Sequence, residues 1–291
     1  MTDTIKQALA VAEGEFLQSD SPRLDAELLL AHSLSVERSY LYAHPDRVLS
    51  SDVSQRFDEL VRRRAQSEPI AYLLGEKSFW DLTLKVSPAV LIPRPETELL
   101  VETALGLGVC TASRQVADLG TGSGAIALAV GKSRPRWRIT GTDISPDALE
   151  IARQNRETLC LGNVAFEEGS WCDALTGGAM DIIIANPPYI APDDPHLTLG
   201  ELRYEPVMAL RADSDGYQDL QCIAAQAREK LTSGGWLLLE HGYTQQEPLL
   251  ALLRDYGYSD VEGKKDLAGV PRMVQARWPG PVSDLTPHNL S

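Results

Sequence analysis

The sequence predicts an α/β protein in which a sheet of mostly parallel strands is covered by helices on both faces and preceded by a small all-helical domain. Three observations lead to this prediction. Apolar residues recur at helical spacing from Thr4 to about Leu74, polar and apolar residues alternate from Phe79 to Ile92, and strand-like and helix-like segments alternate after residue 93. The last pattern is typical of parallel sheets with helices on both faces. We expect a helical domain (1–78), a β-hairpin linker (79–92), an α/β domain (93–278) and a tail without an assigned role (279–291).

Helices are predicted throughout the first part of the chain. The apolar residues of the first helix, spaced by three and four, are Ile5, Ala8, Leu9, Ala12 and Phe16. A second helix is expected to begin at Ser21-Pro22, because proline is tolerated in the first turn, and Ser50 or Ser51 is expected to cap a longer one. The apolar stripe of the second helix is expected to consist of Leu24, Leu28 and Ala31. We interpret these positions as core and assign them no chemistry.

A β-hairpin is expected to link the two domains. The apolar residues of its alternating run are Leu82, Leu84, Val86, Val90 and Ile92, with Ser87-Pro88 between them. Behind it, a helix is expected to start near Glu96, with acidic residues in its first turn. Two interpretations of Arg94, Glu96 and Glu98 stay open: they stabilise the end of this helix, or they line a pocket beside the glycine-rich loop described below.

The α/β domain is predicted from the alternation of its segments. Strands are expected near residues 115–119, 138–142, 164–167, 181–185, 235–240 and 272–277. Helices are expected near residues 96–107, 124–133, 146–157, 217–231 and 245–256. In open parallel sheets, ligands bind outside the carboxyl ends of the strands, so functional residues are expected where these strands end.

A glycine-rich loop, Gly120-Thr121-Gly122-Ser123-Gly124, follows the first strand of this domain. Glycine lacks a Cβ and tolerates positive φ, which lets backbone approach a nucleotide-like ligand closely. The spacing is G-x-G-x-G, which differs from the G-x-G-x-x-G of dinucleotide-binding folds. Asp143 ends the second strand, 19 positions after Gly124, where a carboxylate can accept hydrogen bonds from both hydroxyls of a ribose.

The fourth strand ends in Asn186-Pro187-Pro188-Tyr189. The asparagine amide has both an acceptor and donors, and the two prolines remove two backbone N–H groups, so that carbonyl oxygens are the backbone polar groups left there. The tyrosine adds a flat, electron-rich face. Together these residues predict a socket that accepts hydrogen bonds from a planar –NH₂ group and packs against it. A strand followed by a proline-rich turn is the alternative, and the asparagine, the tyrosine and the upstream loop disfavour it.

In this order, the glycine loop, the acid and the Asn-Pro-Pro-Tyr predict a binding site for S-adenosylmethionine. The chain resembles the HemK-type protein-glutamine methyltransferases over nearly its whole length. The segments that carry the resemblance are Phe79-Trp80, 91–98 (Leu-Ile-Pro-Arg-Pro-Glu-Thr-Glu), the glycine loop, Asp143, the Asn-Pro-Pro-Tyr and 239–242 (Leu-Glu-His-Gly). The resemblance implies a Rossmann-like class I methyltransferase domain with a seven-stranded, mostly parallel sheet whose last strand is antiparallel. It also implies methylation of the glutamine in the Gly-Gly-Gln loop of peptide chain release factors, with the helical domain recognising the substrate.

Roles follow for the site residues. We expect Asn186 Oδ1 and the Pro187 carbonyl to accept hydrogen bonds from the target –NH₂, Pro188 to shape the same socket, and Tyr189 to pack on the amide plane. The cofactor is expected to contact Gly120, Thr121, Gly122, Ser123, Gly124, Asp143, Trp171 and Asn186. Trp171 either packs around the adenine ring, as the resemblance implies, or belongs to the core. No general base is identified; Glu240 and His241 are candidates, although both also suit the end of a strand. The product would be S-adenosylhomocysteine.

Two other functions are compatible with parts of this pattern. An exocyclic amine of DNA or RNA fits the same socket, which would give an N6-adenine or N2-guanine methyltransferase. The net charge of −14 disfavours it, because phosphate neutralisation by basic residues supplies much of nucleic-acid affinity. A non-catalytic nucleotide-binding module would predict decay of the loop or of the Asn-Pro-Pro-Tyr, and both are intact.

Composition indicates the setting in which the protein works. The cysteines (Cys110, Cys160, Cys172 and Cys222) and the five histidines are dispersed, which predicts reduced thiols and no metal site. No run approaches the ~18 apolar residues of a membrane span, and the N-terminus lacks the pattern of a signal peptide. We expect a cytoplasmic monomer that binds neither membranes nor nucleic acid.

Overall fold

The computed structural model describes residues 3–108, 112–190, 199–212 and 216–281. Five helices form the helical part: α1 (Ile5–Glu15), α2 (Pro22–Leu34), α3 (Arg38–Ala43), α4 (Ser51–Ala65) and α5 (Ile70–Leu74). Thr4 caps α1 through a reciprocal pair of hydrogen bonds with Gln7. The Ser50 hydroxyl accepts a hydrogen bond from the Val53 N–H, which confirms the predicted cap of α4. The apolar faces of these helices share one core.

The apolar stripe predicted for α2 was wrong at Leu24 and Leu28 and right at Ala31. Leu24 is 37% exposed and Leu28 is half-buried, while Ala26, Leu29 and Leu30 face the core together with Ala31. The face is rotated because two acids are buried beside it. Asp25 lies 2.7 Å from the buried Arg64 guanidinium, and Glu27 accepts hydrogen bonds from Arg23 and Arg38. Charge pairing makes these positions interior in a way that an apolar pattern does not reveal.

The hairpin lies earlier than predicted and is shorter. Its strands are β1 (Glu76–Phe79) and β2 (Leu82–Lys85), and Phe79 therefore ends the first strand instead of beginning the hairpin. Val86, Val90 and Ile92 are buried in irregular chain around Pro88, where they pack against Ala148 and Ile151. Their alternation reflects this packing and not a strand, because proline removes a backbone donor from the run.

A seven-stranded sheet forms the second part, as predicted. The elements in chain order are α6 (Glu98–Gly106), β3 (Gln115–Leu119), α7 (Ala125–Ser133), β4 (Arg138–Asp143), α8 (Pro146–Thr158), β5 (Val164–Glu168), β6 (Met180–Ala185), α9 (Val207–Leu210), α10 (Gln218–Lys230), β7 (Leu231–Glu240), α11 (Gln246–Asp255), β8 (Ser259–Lys265) and β9 (Pro271–Arg277). The strand order is β5-β4-β3-β6-β7-β9-β8, and β9 runs antiparallel to both of its neighbours. The predicted antiparallel last strand is confirmed.

Strand β8 had no counterpart in the prediction. Its sequence, Ser-Asp-Val-Glu-Gly-Lys-Lys, is polar, and it pairs only at the edge of the sheet. An edge strand with little buried surface needs no apolar period, so the sequence carries no strand signal there.

Side chains that alternate along β6 belong to two hydrophobic cores, one on each face of the sheet. Ile182 and Ile184 join one core with α6, α7 and the hairpin, while Ile183 and Ala185 join the other with α10 and α11. Because β3, β4, β6 and β7 are parallel, their carboxyl ends lie along one edge. Across the described residues, no helix is long and apolar enough to span a membrane.

Candidate active site

A cavity of about 430 Å³ opens at the carboxyl ends of the parallel strands. Its lining includes Gly120, Gly122, Asp143, Trp171, Asn186 and Pro188, together with residues of the linker and of α9. Motif residues that are far apart in sequence are thus brought to one concave surface. A wider groove of about 1130 Å³ lies on the helical part, and none of the motif residues line it.

The glycine loop has three residues in the left-handed region, with φ of 69° at Gly120, 55° at Gly122 and 84° at Gly124. A Cβ at Gly120 would lie 3.1 Å from the Trp171 ring, so the missing side chain lets the indole lie over the loop. A Cβ at Gly124 would lie 2.9 Å from Leu128, which shows that this glycine serves the packing of α7. Gly120 and Gly122 therefore face the cavity, and Gly124 faces the core.

Thr121 and Ser123 are buried beneath the loop and do not line the cavity. The Thr121 hydroxyl donates to Asp118 Oδ2 at 2.6 Å, and the same oxygen accepts from the Ala127 N–H at 3.1 Å. Burial raises the pKa of Asp118 to about 6. Asp118 thus ties β3, the loop and α7 together, a role that sequence reasoning missed; its signal was a single acid inside an apolar strand.

Asp143 lies at the end of β4 and joins that strand to the loop. Its Oδ2 accepts from the Gly122 N–H at 2.9 Å, and its Oδ1 accepts from the Ser145 N–H at 2.9 Å. Burial raises the pKa of this carboxyl group. An ionised carboxylate has about four acceptor sites, so capacity remains for donors that enter the cavity.

Trp171 lies both at the cavity and against the core, so the two interpretations of this residue are compatible. Its ring is partly buried against the core on the α10 side of the sheet and covers Gly120. Its backbone is left-handed (φ 44°), which is rare for a bulky residue, and its carbonyl accepts from the Thr142 hydroxyl at 3.3 Å.

Asn186 follows β6, and its side chain is held from the linker side. Its Nδ2 donates to the Thr97 hydroxyl at 3.2 Å, which occupies the donor end of the planar amide and leaves the Oδ1 end for other partners. Thr97 is buried and belongs to the segment 91–98. Within this segment, Thr97, which lies between the two acids, is therefore the residue that contacts Asn186.

The charged residues of that segment have other partners. Arg94 forms an ion pair with the buried Glu205, which also accepts a hydrogen bond from the Ile92 N–H at 3.0 Å. Glu98 Oε1 accepts from the Trp80 N–H at 2.8 Å. Glu98 lies in the first turn of α6 and Glu96 in the 3-10 turn before it, as the helix-end interpretation expects, and none of the three charged residues lines the cavity.

Tyr189 contacts Glu240 and, like Pro187, is not among the residues that line the cavity. The Tyr189 hydroxyl lies 3.5 Å from Glu240 Oε1, and burial raises the pKa of Tyr189 to about 12. Glu240 is the last residue of β7, and burial raises its pKa to about 7. His241 is buried beside it, with Nδ1 2.8 Å from the Gly242 carbonyl oxygen, and burial lowers its pKa.

A sheet with this strand order, a glycine loop after its first strand and Asn-Pro-Pro-Tyr after its fourth define a class I methyltransferase domain. The solved structure of a methyltransferase from Pyrococcus furiosus is similar over 76% of this chain and 98% of that protein's chain, with a TM-score of 0.53 and 20% sequence identity. This similarity shows a shared fold. A family model described as "PrmC N-terminal domain" matches residues 7–75. One described as "Methyltransferase small domain" matches residues 95–202.

Curated relatives place the chain more narrowly. A release factor glutamine methyltransferase of Vibrio cholerae is 45% identical over 281 residues, which cover 96% of this chain and 98% of that protein. A release factor glutamine methyltransferase of Coxiella burnetii is 48% identical over 259 residues, which cover 89% of this chain and 93% of that protein. The chain belongs to the release factor glutamine methyltransferase family, and the resemblance found in the sequence is confirmed.

Proposed function

We propose that this protein transfers a methyl group from S-adenosylmethionine to the side-chain amide nitrogen of the glutamine in the Gly-Gly-Gln loop of peptide chain release factors. The observation that carries the proposal is that Asn186, with its donor end bound by Thr97, lines the same cavity as the glycine loop and Asp143. An acceptor for an –NH₂ group thus adjoins a site suited to a nucleoside. The relatives named above supply the substrate, which their names describe as the glutamine of a release factor.

The residues around the cavity fit S-adenosylmethionine. The cavity volume of about 430 Å³ is in the range of sites for ligands of this size. Asp143 has acceptor capacity for the ribose hydroxyls, Gly120 and Gly122 admit the ligand close to backbone, and the Trp171 ring offers an apolar face for the adenine. When bound, the cofactor supplies a methyl group activated by a positively charged sulfur.

The Asn-Pro-Pro-Tyr corner has to prepare the acceptor nitrogen. A carboxamide nitrogen is a poor nucleophile because its lone pair is delocalised, so alignment is the main contribution that the protein makes. In this proposal Asn186 Oδ1 and the Pro187 carbonyl each accept a hydrogen bond from the –NH₂, and Pro188 narrows the socket. Tyr189 packs on the amide plane and stays neutral, since burial raises its pKa to about 12. Alignment of this kind lowers barriers by up to about 7–11 kcal/mol in the best cases.

The proposed substrate also sets where the protein acts. Release factors work in the cytoplasm, and the net charge of −14 suits a protein partner better than bare nucleic acid. We propose that the enzyme acts there as a monomer.

The test is to offer the purified protein labelled S-adenosylmethionine with release factor, tRNA, rRNA or DNA in separate reactions. Label is expected in the release factor alone, on the glutamine of its Gly-Gly-Gln loop by peptide mass spectrometry. A release factor with that glutamine changed to alanine is the matched control and should stay unlabelled. Label in nucleic acid alone would reject the proposal.

A further inference from the structure

Two short stretches of chain outside the sheet line the cavity proposed for the cofactor. The first is the linker wall, residues 89–91, which lies in irregular chain. The second is the α9 wall, residues 206–209, of which Pro206, Met208 and Ala209 line the cavity. Irregular chain and a four-residue helix make few backbone hydrogen bonds of their own, so contacts with other parts of the protein have to fix where these walls lie.

The carboxylate of Glu205 joins the two walls. Its Oε2 accepts a hydrogen bond from the Ile92 N–H at 3.0 Å, and its Oε1 forms an ion pair with Arg94. Ile92 directly follows the linker wall, and Glu205 directly precedes the α9 wall. One side chain therefore connects the end of the first wall to the start of the second, across a separation of 113 residues in the chain.

The α9 wall is also held at its other end. The Ile190 N–H donates to the Leu210 carbonyl at 3.1 Å, and the Ala212 N–H donates to the Ile190 carbonyl at 3.0 Å. Ile190 directly follows the Asn-Pro-Pro-Tyr. The α9 wall is therefore attached to that motif at one end and, through Glu205, to the linker at the other.

Stability alone does not account for a charge at this position. Glu205 is 3% exposed, and its partner Ile92 belongs to a buried apolar cluster. Taking a carboxylate out of water costs free energy that an ion pair often does not fully offset, and apolar residues of similar volume are often as stable. An ion pair with hydrogen bonds adds a defined geometry, because carboxylate and guanidinium groups bind in few orientations. Glu205 is thus suited to hold the two walls in a fixed arrangement.

We propose that Glu205 is a positioning residue for the cofactor, because it holds the linker wall and the α9 wall at the separation that S-adenosylmethionine needs. This role rests on the proposed function, since the walls matter only for a bound cofactor. Glu205 does not itself line the cavity and acts through the wall residues beside its contacts. Without these contacts the walls are free to move apart, and affinity for the cofactor falls.

Two substitutions of Glu205 test the inference on the full-length protein, with affinity for S-adenosylhomocysteine measured by calorimetry. Glu205→Leu removes both contacts and is expected to weaken binding at least about tenfold. Glu205→Gln keeps an acceptor for the Ile92 N–H but loses the charge that binds Arg94, so a smaller loss of about three- to fivefold is expected. In methylation assays the loss is expected chiefly in the KM for S-adenosylmethionine and much less in kcat, because the walls hold the cofactor and not the acceptor.

Glu27 provides the matched control. It is also a buried glutamate, 2% exposed, and it accepts hydrogen bonds from Arg23 and Arg38. It lies in α2 of the helical part and does not line the cavity. Glu27→Leu and Glu27→Gln should lower the melting temperature about as much as the changes at Glu205 and leave S-adenosylhomocysteine affinity within about twofold of the wild type.

An affinity of Glu205→Leu within about twofold of the wild type would overturn the inference, and so would an equal loss of affinity in Glu27→Leu. Should Glu205→Leu not fold, Glu205→Gln and Arg94→Met decide, since Arg94→Met removes the other member of the ion pair. Wild-type affinity in both of these variants would likewise overturn the inference. A wild-type protein that binds S-adenosylhomocysteine but methylates no release factor would instead reject the proposed function, so the two failures are distinguishable.

Discussion

Asn186 is bound by its donor end, and this decides what its other end can do. Because Nδ2 is engaged by Thr97, the amide offers Oδ1 as an acceptor to a group that enters the cavity. We expect Asn186→Ala to abolish methyl transfer to release factor while S-adenosylhomocysteine affinity changes less than about tenfold, because one lost hydrogen bond costs about 0.5–1.5 kcal/mol. Single-turnover transfer and calorimetric binding measure the two quantities separately. Equal losses in both would move Asn186 from substrate positioning to cofactor binding.

The loop between β3 and α7 brings backbone to the cavity, and Gly122 is the position that tests this most simply. A Cβ there meets no protein atom within 4 Å, so a methyl group would enter open space in the cavity lining. We expect Gly122→Ala to weaken S-adenosylhomocysteine binding at least tenfold and to cost about 1–2 kcal/mol of stability, because its φ is 55°. Calorimetric titration and urea unfolding give the two values.

Gly75 provides the matched control for Gly122. It also has a left-handed backbone (φ 75°) and open space around its missing Cβ, but it ends α5 in the helical part, away from the cavity. Gly75→Ala should lose a similar amount of stability and leave S-adenosylhomocysteine affinity unchanged. If both variants lose affinity alike, strain and not cavity access explains the effect at Gly122.

Elements with a strong apolar period were predictable from the sequence, and those without one were not. Strand β6 contains a continuous apolar run, Ile182 to Ala185, because both of its faces are covered, and the predicted bounds of β3, β4 and β6 agree with the structure within about one residue. The polar edge strand β8 was missed, and Val86 to Ile92 were assigned to a strand because core packing imitates its period. The error in the apolar stripe of α2 comes from an ion pair between residues that are far apart in sequence, because the pairing with Arg64 lets Asp25 be buried.

The candidate site was predictable as a set of strand ends, whereas its internal contacts were not. Parallel pairing brings Gly120, Asp143 and Asn186 to one cavity, as the order of the motifs predicted. Thr97 contacts Asn186, which lies 89 residues further along the chain, and Tyr189 contacts Glu240, which lies 51 residues further along. No local sequence pattern encodes such contacts. The roles assigned to individual residues remain predictions until substrate and cofactor are tested.

Polar contacts join the helical part to residues 201–205, which follow the Asn-Pro-Pro-Tyr in the chain. Arg64 of α4 lies 2.7 Å from Glu201, and the Gln66 carbonyl accepts hydrogen bonds from Arg203 and from the Tyr204 hydroxyl. One residue further, Glu205 binds the linker. The helical part, which is expected to recognise the substrate, is thus attached to residues 201–205, and these follow the Asn-Pro-Pro-Tyr in the chain.

Two buried acids of the α/β part, Asp118 and Glu240, are expected to make the stability of the fold depend on pH. Burial raises the pKa of Asp118 from 3.8 to about 6 and that of Glu240 from 4.5 to about 7. The folded protein therefore holds these protons more tightly than the unfolded chain does. The stability that this contributes is complete below about pH 4 and is lost as the pH rises through 6 for Asp118 and through 7 for Glu240.

Asp118→Asn is neutral at every pH, so this loss should disappear from the variant. We expect its free energy of unfolding, relative to the wild type, to rise by up to about 3 kcal/mol between pH 4 and pH 6.5, since each pKa unit corresponds to about 1.4 kcal/mol. Glu240→Gln should show a similar rise that is completed about one pH unit higher. Urea unfolding at closely spaced pH values measures both curves. A constant offset between variant and wild type, whatever its size, would mean that these carboxyl groups titrate in the folded protein as they do in the unfolded chain.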